Sequence, residues 1–152
     1  MSNIPYKDDD VIVPYALIWG WLHLANHRYG TVPTGAMQVI MTIIAMNALG
    51  YHPTVSELAE ITGLAKSNVS RYVSQQMTDG FLEEYIDVDD RRRRKLRPTA
   101  KAERELAWQN ERIKKIYEIV LRHHRAGRPI DRTGFESLMK NLKEITEAAA
   151  PS

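Results

Sequence analysis

The stretch from Thr54 to Gly80 constrains the fold more than any other part of this 152-residue chain. It opens with Thr54-Val55-Ser56-Glu57, the spacing of a capping box, in which a threonine oxygen accepts from the backbone N–H three residues on and the glutamate reaches back. The short helix that begins there closes at Gly63, and a second helix runs from about Ala65 to Asp79. Two short helices joined by a tight, glycine-containing turn indicate a helix-turn-helix unit.

The segment after Gly80 predicts a β-hairpin. Phe81–Val88 alternates loosely as a strand does, the acidic run Asp87–Asp90 can turn the chain, and Arg92–Arg97 can return as a second strand. Basic residues crowd this segment, namely Arg91, Arg92, Arg93, Arg94, Lys95, Arg97 and Lys101. The net charge of the chain is only +2, but local charge density is what attracts a polyanion. Five consecutive basic residues exceed what a solvated strand edge needs for protection from aggregation.

Helical patterns precede the helix-turn-helix. The first helix is predicted from about Val11 to His27, ending near Gly30, and it is apolar on nearly every side. Such a helix needs more than one partner surface, so we expect part of it to face another subunit. A second helix should be capped by Thr34 and end at Gly50, with apolar spacing supplied by Met37, Ile40, Met41, Ile44 and Met46.

Two more helices should follow the hairpin. Thr99 is placed to cap a long helix through about His124, and Asp131 to cap a last one. Arg125–Pro129 reads as a loop, and the tail Ala148–Ser152 is expected to fray. Apolar positions expected inside these elements are Leu58, Ala59, Ile61, Leu106, Ile113, Ile116, Tyr117, Ile119, Val120, Phe135, Leu138, Met139, Leu142 and Ile145.

The helix from Ala65 to Asp79 has one face suited to reading DNA. Val69, Tyr72, Val73 and Gln76 share the inward side, with Met77 at its edge. The candidate DNA-binding residues of this helix are Lys66, Ser67, Asn68, Ser70, Arg71, Ser74 and Gln75. Arginine donates twice to guanine, asparagine or glutamine pairs with adenine, and serine suits either base. Any amphipathic helix shows polar residues outward, so it is the neighbouring basic hairpin that favours DNA.

The hairpin supplies the second set of candidates. Arg91, Arg92, Arg93, Arg94 and Lys95 lie at or beside its turn. Side chains alternate faces along a strand, but a turn lets two or three guanidinium groups project together. Minor-groove insertion with flanking phosphate contacts is the chemistry expected of such a turn.

Residues from about Leu58 to Thr99 resemble the MarR family of bacterial transcription regulators. The matching elements are Glu57-Leu58-Ala59, Gly63-Leu64, Val69-Ser70-Arg71 with Val73, Gly80-Phe81-Leu82, and Asp90-Arg91-Arg92 followed by Pro98-Thr99. The chain departs from the family pattern at Ala65, where a serine cap is common, at Gln76, which replaces an inward leucine, and at Pro98 and Ala102. The core is therefore expected to shift onto Met77.

The resemblance implies the architecture of the whole chain. The fold class is mainly α with a small β-hairpin wing: a winged helix-turn-helix over 35–99, flanked by dimerisation helices over 1–34 and 100–152. The resemblance further implies a homodimer that places one recognition helix per subunit in successive major grooves of double-stranded DNA. Arg92, held by the wing-supporting Asp90, would enter the minor groove.

The predicted function is that of a sequence-specific, cytoplasmic regulator acting on a pseudo-palindromic operator, with no enzymatic activity, cofactor, metal or membrane association. Whether a small-molecule effector exists stays open; Trp19, Trp21, Tyr15 and the methionines of the second helix could line a cavity or be ordinary core. Two alternatives also stay open: a winged-helix interaction module for an acidic protein or RNA, and a nonspecific architectural DNA binder.

Several site classes are set aside. The chain has no cysteine, which excludes disulfides and thiolate zinc sites, and it shows neither a glycine-rich phosphate loop nor a Gly-x-Ser-x-Gly elbow. His23 and His27 are four residues apart, as two metal ligands can be, but no further ligand lies near them in sequence. The run Val11–Leu22 is too short to cross a bilayer, which needs about 20 residues.

Overall fold

The computed structural model describes residues 8–125 and 130–149. These ranges contain six helices and one two-stranded antiparallel sheet. In chain order the elements are α1 (Asp8–Tyr29), α2 (Thr34–Ala48), α3 (Val55–Thr62), α4 (Lys66–Thr78), β1 (Leu82–Ile86), β2 (Arg94–Pro98), α5 (Ala100–Arg125) and α6 (Arg132–Thr146). The mainly α fold with a small β-hairpin is therefore confirmed.

The chain divides into two compact units. The first comprises Met1–Thr31 and Ala107–Ser152, and the second comprises Val32–Leu106. The division falls within α5, so the first turns of that helix belong to the second unit. The assignment of 1–34 and 100–152 to dimerisation stays a prediction.

The second unit has a core to which each of its elements before α5 contributes. Its buried members are Val39, Ile43, Leu58, Val69, Val73, Leu82 and Leu96. Helices α3 and α4 are amphipathic and turn this apolar face toward α2 and the sheet, leaving their polar residues outside. Gly63 makes the sharp turn between them by adopting a left-handed conformation, with φ 71°, which glycine adopts without steric cost. The predicted helix-turn-helix geometry follows from this core.

The sheet continues directly from α4. Leu82 pairs with Pro98 and Ile86 with Arg94, and the Leu96 backbone N–H donates to the Pro53 carbonyl at 2.9 Å. The outer edge of β2 is thereby attached to the segment that leads into α3. The hairpin is thus fixed to the helix-turn-helix by a main-chain bond from β2 to the segment before α3.

The first unit has a separate core of α1, α5 and α6 residues: Ala16, Ile116, Val120, Leu138 and Leu142. Gly20 packs so closely that a Cβ there would lie 2.8 Å from Ile116 Cγ2. On another part of α1, His23 Nε2 lies 2.9 Å from Glu147 Oε1, and the His23 ring stacks on Trp19 with centroids 4.7 Å apart. Gly20 thus lets α1 approach α5 closely, and the His23–Glu147 pair links α1 to the end of α6.

Three of the four predicted helix N-caps, at Thr54, Thr99 and Asp131, are confirmed. Thr54 and Glu57 form a complete capping box, and Asp131 accepts from the Gly134 N–H at 2.7 Å. Thr34 does not cap α2, because Pro33 has the extended ψ of 140° that a cap requires and Thr34 is already helical. The prediction of a Thr34 cap is wrong.

The predicted apolar face of α2 is also wrong. The helix buries Ala36, Val39 and Ile43, whereas Met37, Ile40, Ile44 and Met46 are half-buried and Met41 is exposed. The helix is apolar on more than one side, so periodicity alone could not show which side enters the core.

Three other residues expected inside their elements are exposed: Ile61, Tyr117 and Phe135. On α1, Ala16, Leu24 and Ala25 are buried, while Val11, Tyr15, Ile18 and Leu22 are exposed. At 100° per residue these four exposed side chains form one stripe, which we call the α1 stripe. Tyr15 is therefore exposed, and its interpretation as an ordinary core residue is wrong.

Residues 126–129 of the predicted loop and residues 150–152 of the predicted tail lie outside the described residues. Among the described helices, none by itself has both the length and the apolar composition of a membrane span; α1 and α2 would meet those two criteria only as a pair.

Candidate nucleic-acid interface

Helix α4 presents a polar face to solvent. Val69 and Val73 are fully buried on its inner side, with Tyr72 and Met77 packed beside them. The predicted DNA-binding residues lie on the other side: Lys66, Ser67, Ser70, Arg71, Ser74 and Gln75 are exposed, and Asn68 is half-buried. Ala65 provides no side-chain cap at the helix start, and Gln76 is half-buried while Met77 joins the core.

Two hydrogen bonds organise this polar face. Arg71 Nη2 donates to Asn68 Oδ1 at 3.3 Å, and the Arg71 guanidinium carbon lies 5.4 Å from the centroid of the Tyr72 ring. Farther along, Gln75 Nε2 donates to Asp79 Oδ1 at 3.1 Å. Both pairs are neighbours on a helix surface, so Asn68, Arg71 and Gln75 each have a hydrogen-bond partner on α4 or at its end.

The turn of the wing is built on aspartates. Asp90 Oδ1 accepts from the Arg92 backbone N–H at 3.0 Å, and the Asp90 carbonyl accepts from the Arg93 N–H at 2.9 Å. The second strand begins at Arg94, not at the predicted Arg92. Arg91, Arg92 and Arg93 thus lie in the turn itself, where strand alternation does not separate them.

Several basic side chains of the hairpin are engaged by acidic side chains of the same unit. Arg93 pairs with Glu57 on α3. Arg94 Nη1 lies 2.9 Å from Glu84 Oε1, Lys95 Nζ lies 3.4 Å from Asp87 Oδ2, and Arg97 Nε lies 2.7 Å from Glu83 Oε1. Lys101, the last of the basic cluster, donates to the Asp79 carbonyl at 2.7 Å. These five residues hold the wing and its junctions together.

The other basic residues predicted to contact phosphates or the minor groove are not paired with acidic side chains among the described residues. Across the described part of the chain, Arg91, Arg92 and Lys66 have no ion pair, and all three are exposed. A guanidinium without an acidic neighbour keeps all five donors for an external anion. The structure therefore divides the five basic candidates of the hairpin into two unpaired residues at the tip, Arg91 and Arg92, and three paired ones, Arg93, Arg94 and Lys95.

The Asp87 carboxylate is stabilised in its charged form by groups of the same turn. Its pKa lies below the usual range, first because it accepts a hydrogen bond from the Asp89 backbone N–H and then because the Lys95 ammonium lies nearby, with partial burial opposing both. The N–H to Oδ1 distance is 3.1 Å. The charged form of Asp87 thus stabilises the turn from which Arg91 and Arg92 project.

No group of three or more His, Asp or Glu side chains in the described ranges could hold a metal ion. His23 and His27, with ring centroids 6.5 Å apart, belong to the first unit, where His23 is engaged by Glu147. The arrangement of α4 and the hairpin offers donors and positive charge instead, which is the chemistry of polyanion recognition.

Comparison with solved structures identifies the architecture. A MarR-like transcriptional regulator from Thermotoga maritima superposes with a TM-score of 0.53 at 18% identity, over 97% of this chain and 96% of that one. The chain has the MarR fold. A second similar structure is CouR from Rhodococcus jostii RHA1 bound to p-coumaroyl-CoA, with a TM-score of 0.47 and 16% identity over 93% of this chain and 88% of that one. A third is Bordetella bronchiseptica BpsR, whose DNA binding is regulated by 6-hydroxynicotinic acid, with a TM-score of 0.45 and 13% identity over 91% of this chain and 92% of that one. No family model and no curated protein sequence matches the chain.

Sequence reasoning missed three residues that shape this interface. The sequence predicts Glu57 only as part of the helix cap, Asp79 only as the end of α4, and Tyr72 only as a core residue. The spacing of Gln75 and Asp79, four residues apart on a helix, is a signal that could have indicated their bond. Glu57 and Arg93 are 36 residues apart in sequence, so no local sequence pattern predicts their ion pair.

Proposed function

We propose that this protein is a sequence-specific DNA-binding transcription regulator without enzymatic activity. The observation that carries the proposal is that one compact unit holds both an exposed helix face of base-reading side chains and a turn with two unpaired arginines. α4 would enter the major groove, where asparagine, arginine and glutamine distinguish bases. Arg91 and Arg92 would approach the minor groove and its phosphates, and Lys66 a phosphate near the start of α4. We propose that the protein acts in the cytoplasm.

We further propose a homodimer. The α1 stripe exposes four large apolar side chains in a row, including Tyr15 at 68% and Ile18 at 54% of their full exposure. A contiguous apolar strip of this kind is typical of an interface. A second copy related by a two-fold axis would cover the same stripe on both chains and supply a second recognition helix. The operator would then be a pseudo-palindrome with half-sites about 10 base pairs apart.

Selection of bound sequences from a random duplex pool, followed by titrations at several salt concentrations, tests the proposal. A preferred sequence together with a steep loss of affinity with salt supports it. A salt-dependent affinity without any preferred sequence would instead make the protein a nonspecific architectural binder. Absence of duplex binding at low salt would favour the interaction module for an acidic protein or RNA.

Variants of the wing provide a matched comparison within this test. Arg92→Ala should weaken binding to every duplex, with the slope of log K against log[salt] reduced by about 1, since one phosphate contact is lost. Arg94→Ala, which removes a side chain already paired with Glu84, should change the slope by much less. Equal effects of the two would mean that the wing does not approach DNA by its tip.

Variants of α4 test base reading. Arg71→Ala and Asn68→Ala should reduce discrimination against mismatched operators, each by roughly 1–3 kcal/mol if the contact is bidentate. Lys66→Ala should mainly flatten the salt dependence, since it removes a phosphate contact. If Arg71→Ala and Asn68→Ala both discriminated against mismatched operators as well as the wild type does, another surface would read the DNA.

A small-molecule effector would act by weakening the binding of the operator. Calorimetric titration with small aromatic acids, in the presence and absence of the selected operator, would establish whether such a ligand weakens DNA binding. Reciprocal coupling between ligand and operator affinities is the required signature.

A further inference from the structure

The amide of Gln75 is held by a carboxylate at the end of α4. Gln75 Nε2 donates to Asp79 Oδ1 at 3.1 Å, and both side chains are exposed. A carboxylate only accepts hydrogen bonds, so the nitrogen end of the amide must be the end that faces it. The carbonyl oxygen of Gln75 is therefore turned away from Asp79.

The amide of Asn68 is held with the opposite polarity. Its Oδ1 accepts from Arg71 Nη2 at 3.3 Å. Because a guanidinium only donates, the oxygen end of this amide faces Arg71, and the nitrogen is turned outward. Asn68 and Gln75 thus have different groups free of these bonds: the amide nitrogen, a donor, in Asn68, and the carbonyl oxygen, an acceptor, in Gln75.

We propose that Asp79 is a positioning residue that makes Gln75 select adenine; this rests on the proposed function of α4 as the recognition helix. One hydrogen of Nε2 is committed to Asp79, which leaves the other hydrogen and the carbonyl oxygen of Gln75. These two groups match the N7 acceptor and the N6 amino group that adenine shows in the major groove. Guanine presents two acceptors there, so the fixed carbonyl oxygen of Gln75 would face an acceptor. A freely turning amide would lose part of this discrimination.

The charge of Asp79 gives the proposal a distinctive signature. A carboxylate beside DNA repels phosphates, so Asp79 lowers the affinity for every sequence while it raises the preference for one base. A residue with a merely structural role in α4 would not produce these two opposite effects. The backbone bonds at this position, from Asp79 N–H to the Gln75 carbonyl and from Lys101 to the Asp79 carbonyl, involve main-chain atoms and survive side-chain substitution.

The experiment compares the wild-type chain with four variants on duplexes derived from the selected operator. Gln75→Ala first identifies the base pair whose preference depends on Gln75. Affinities for duplexes with adenine or guanine at that position are then measured for wild type, Asp79→Ala and Asp79→Asn, with Thr78→Ala as an exposed neighbouring control. Circular dichroism confirms that each variant is folded.

Wild type should prefer adenine at the position that depends on Gln75. Asp79→Asn retains an oxygen acceptor, so it should keep this preference while binding all duplexes more tightly. Asp79→Ala should also bind more tightly, but its adenine preference should fall by roughly 3–10-fold, the range expected for one lost hydrogen bond. Thr78→Ala should change neither quantity.

Two results would overturn the inference while leaving the proposed function intact. One is an unchanged adenine preference in Asp79→Ala, and the other is a wild-type preference for a base other than adenine at the Gln75-dependent position. A wild-type protein that selects no sequence at all would overturn the proposed function and this inference together.

Discussion

Glu57 joins the wing to the start of α3. One of its carboxylate oxygens accepts a hydrogen bond from the Arg93 guanidinium, and the other accepts from the Thr54 backbone N–H at 3.4 Å. In return, Thr54 Oγ1 accepts from the Glu57 N–H at 3.2 Å. A single side chain thus completes the capping box and fixes the turn that carries Arg91 and Arg92. This link gives the wing a defined position relative to the helix-turn-helix.

The link should be measurable as a coupling energy. Arg93 and Glu57 are both partly exposed, with 45% and 34% of their side chains accessible, so their interaction should be worth about 0.5 kcal/mol after solvent screening. A double-mutant cycle of Glu57→Ala and Arg93→Ala, followed by urea unfolding, measures it. Thr54→Ala is the control: it should cost about 1 kcal/mol as a lost cap and leave the effect of Arg93→Ala unchanged. Strict additivity of Glu57→Ala and Arg93→Ala would show that the pair contributes nothing.

The core of the second unit depends on a residue of the wing. Leu96 on β2 is completely buried, so Leu96→Ala should lower the free energy of unfolding by about 2–5 kcal/mol through lost apolar burial and a cavity. Ile61→Ala removes an apolar side chain of similar size that is 58% exposed, and it should change stability by no more than about 0.5 kcal/mol. Urea unfolding of both variants checks the difference. A similar loss in both would mean that Ile61 is covered in solution.

The local elements could be predicted from sequence because their signals are local. The capping box at Thr54, the left-handed turn at Gly63 and the Thr99 cap of α5 each depend on residues within a few positions of one another. Thr99 Oγ1 indeed accepts from the Ala102 N–H at 3.2 Å. The MarR fold could be predicted for the same reason, because the residues that resemble the family lie close together in sequence, from about Leu58 to Thr99.

What sequence could not provide was the choice among equivalent faces and partners. Helix α2 is apolar on several sides, and only the packing of Val39 and Ile43 against other elements decides which side is buried. Likewise, five consecutive basic residues look equivalent in sequence. Acids at distant positions, Glu57 and Glu84, engage Arg93 and Arg94 and leave the two residues at the tip of the wing.

The turn of the wing should respond to acid. The Asp87 pKa is lowered mainly by the hydrogen bond from the Asp89 N–H, whereas an unfolded aspartate titrates near about 3.9. Because the folded pKa is the lower one, the stabilisation is present above the unfolded pKa and is lost as the pH falls through the folded value. The Asp89 amide shift, followed by NMR, should therefore change with a midpoint below the unfolded aspartate value of about 3.9. Asp87→Asn should abolish this transition; titration of the amide at the ordinary aspartate pKa or higher would contradict the assignment.

The α1 stripe should determine the oligomeric state. Ile18→Glu places a charge in the middle of an exposed apolar row, and in a dimer both copies of that charge would be buried without a partner, which costs several kcal/mol. His27→Glu introduces the same charge on the same helix, but about 160° around the helix from Val11 and the stripe, and should leave the dimer intact. Light scattering after size exclusion at several concentrations distinguishes monomer from dimer. If Ile18→Glu eluted with the same molar mass as the wild type, the stripe would not be the interface. Because one subunit supplies one recognition helix, the monomeric variant should also lose most of its affinity for a two-half-site operator while keeping weak, salt-sensitive binding to any duplex.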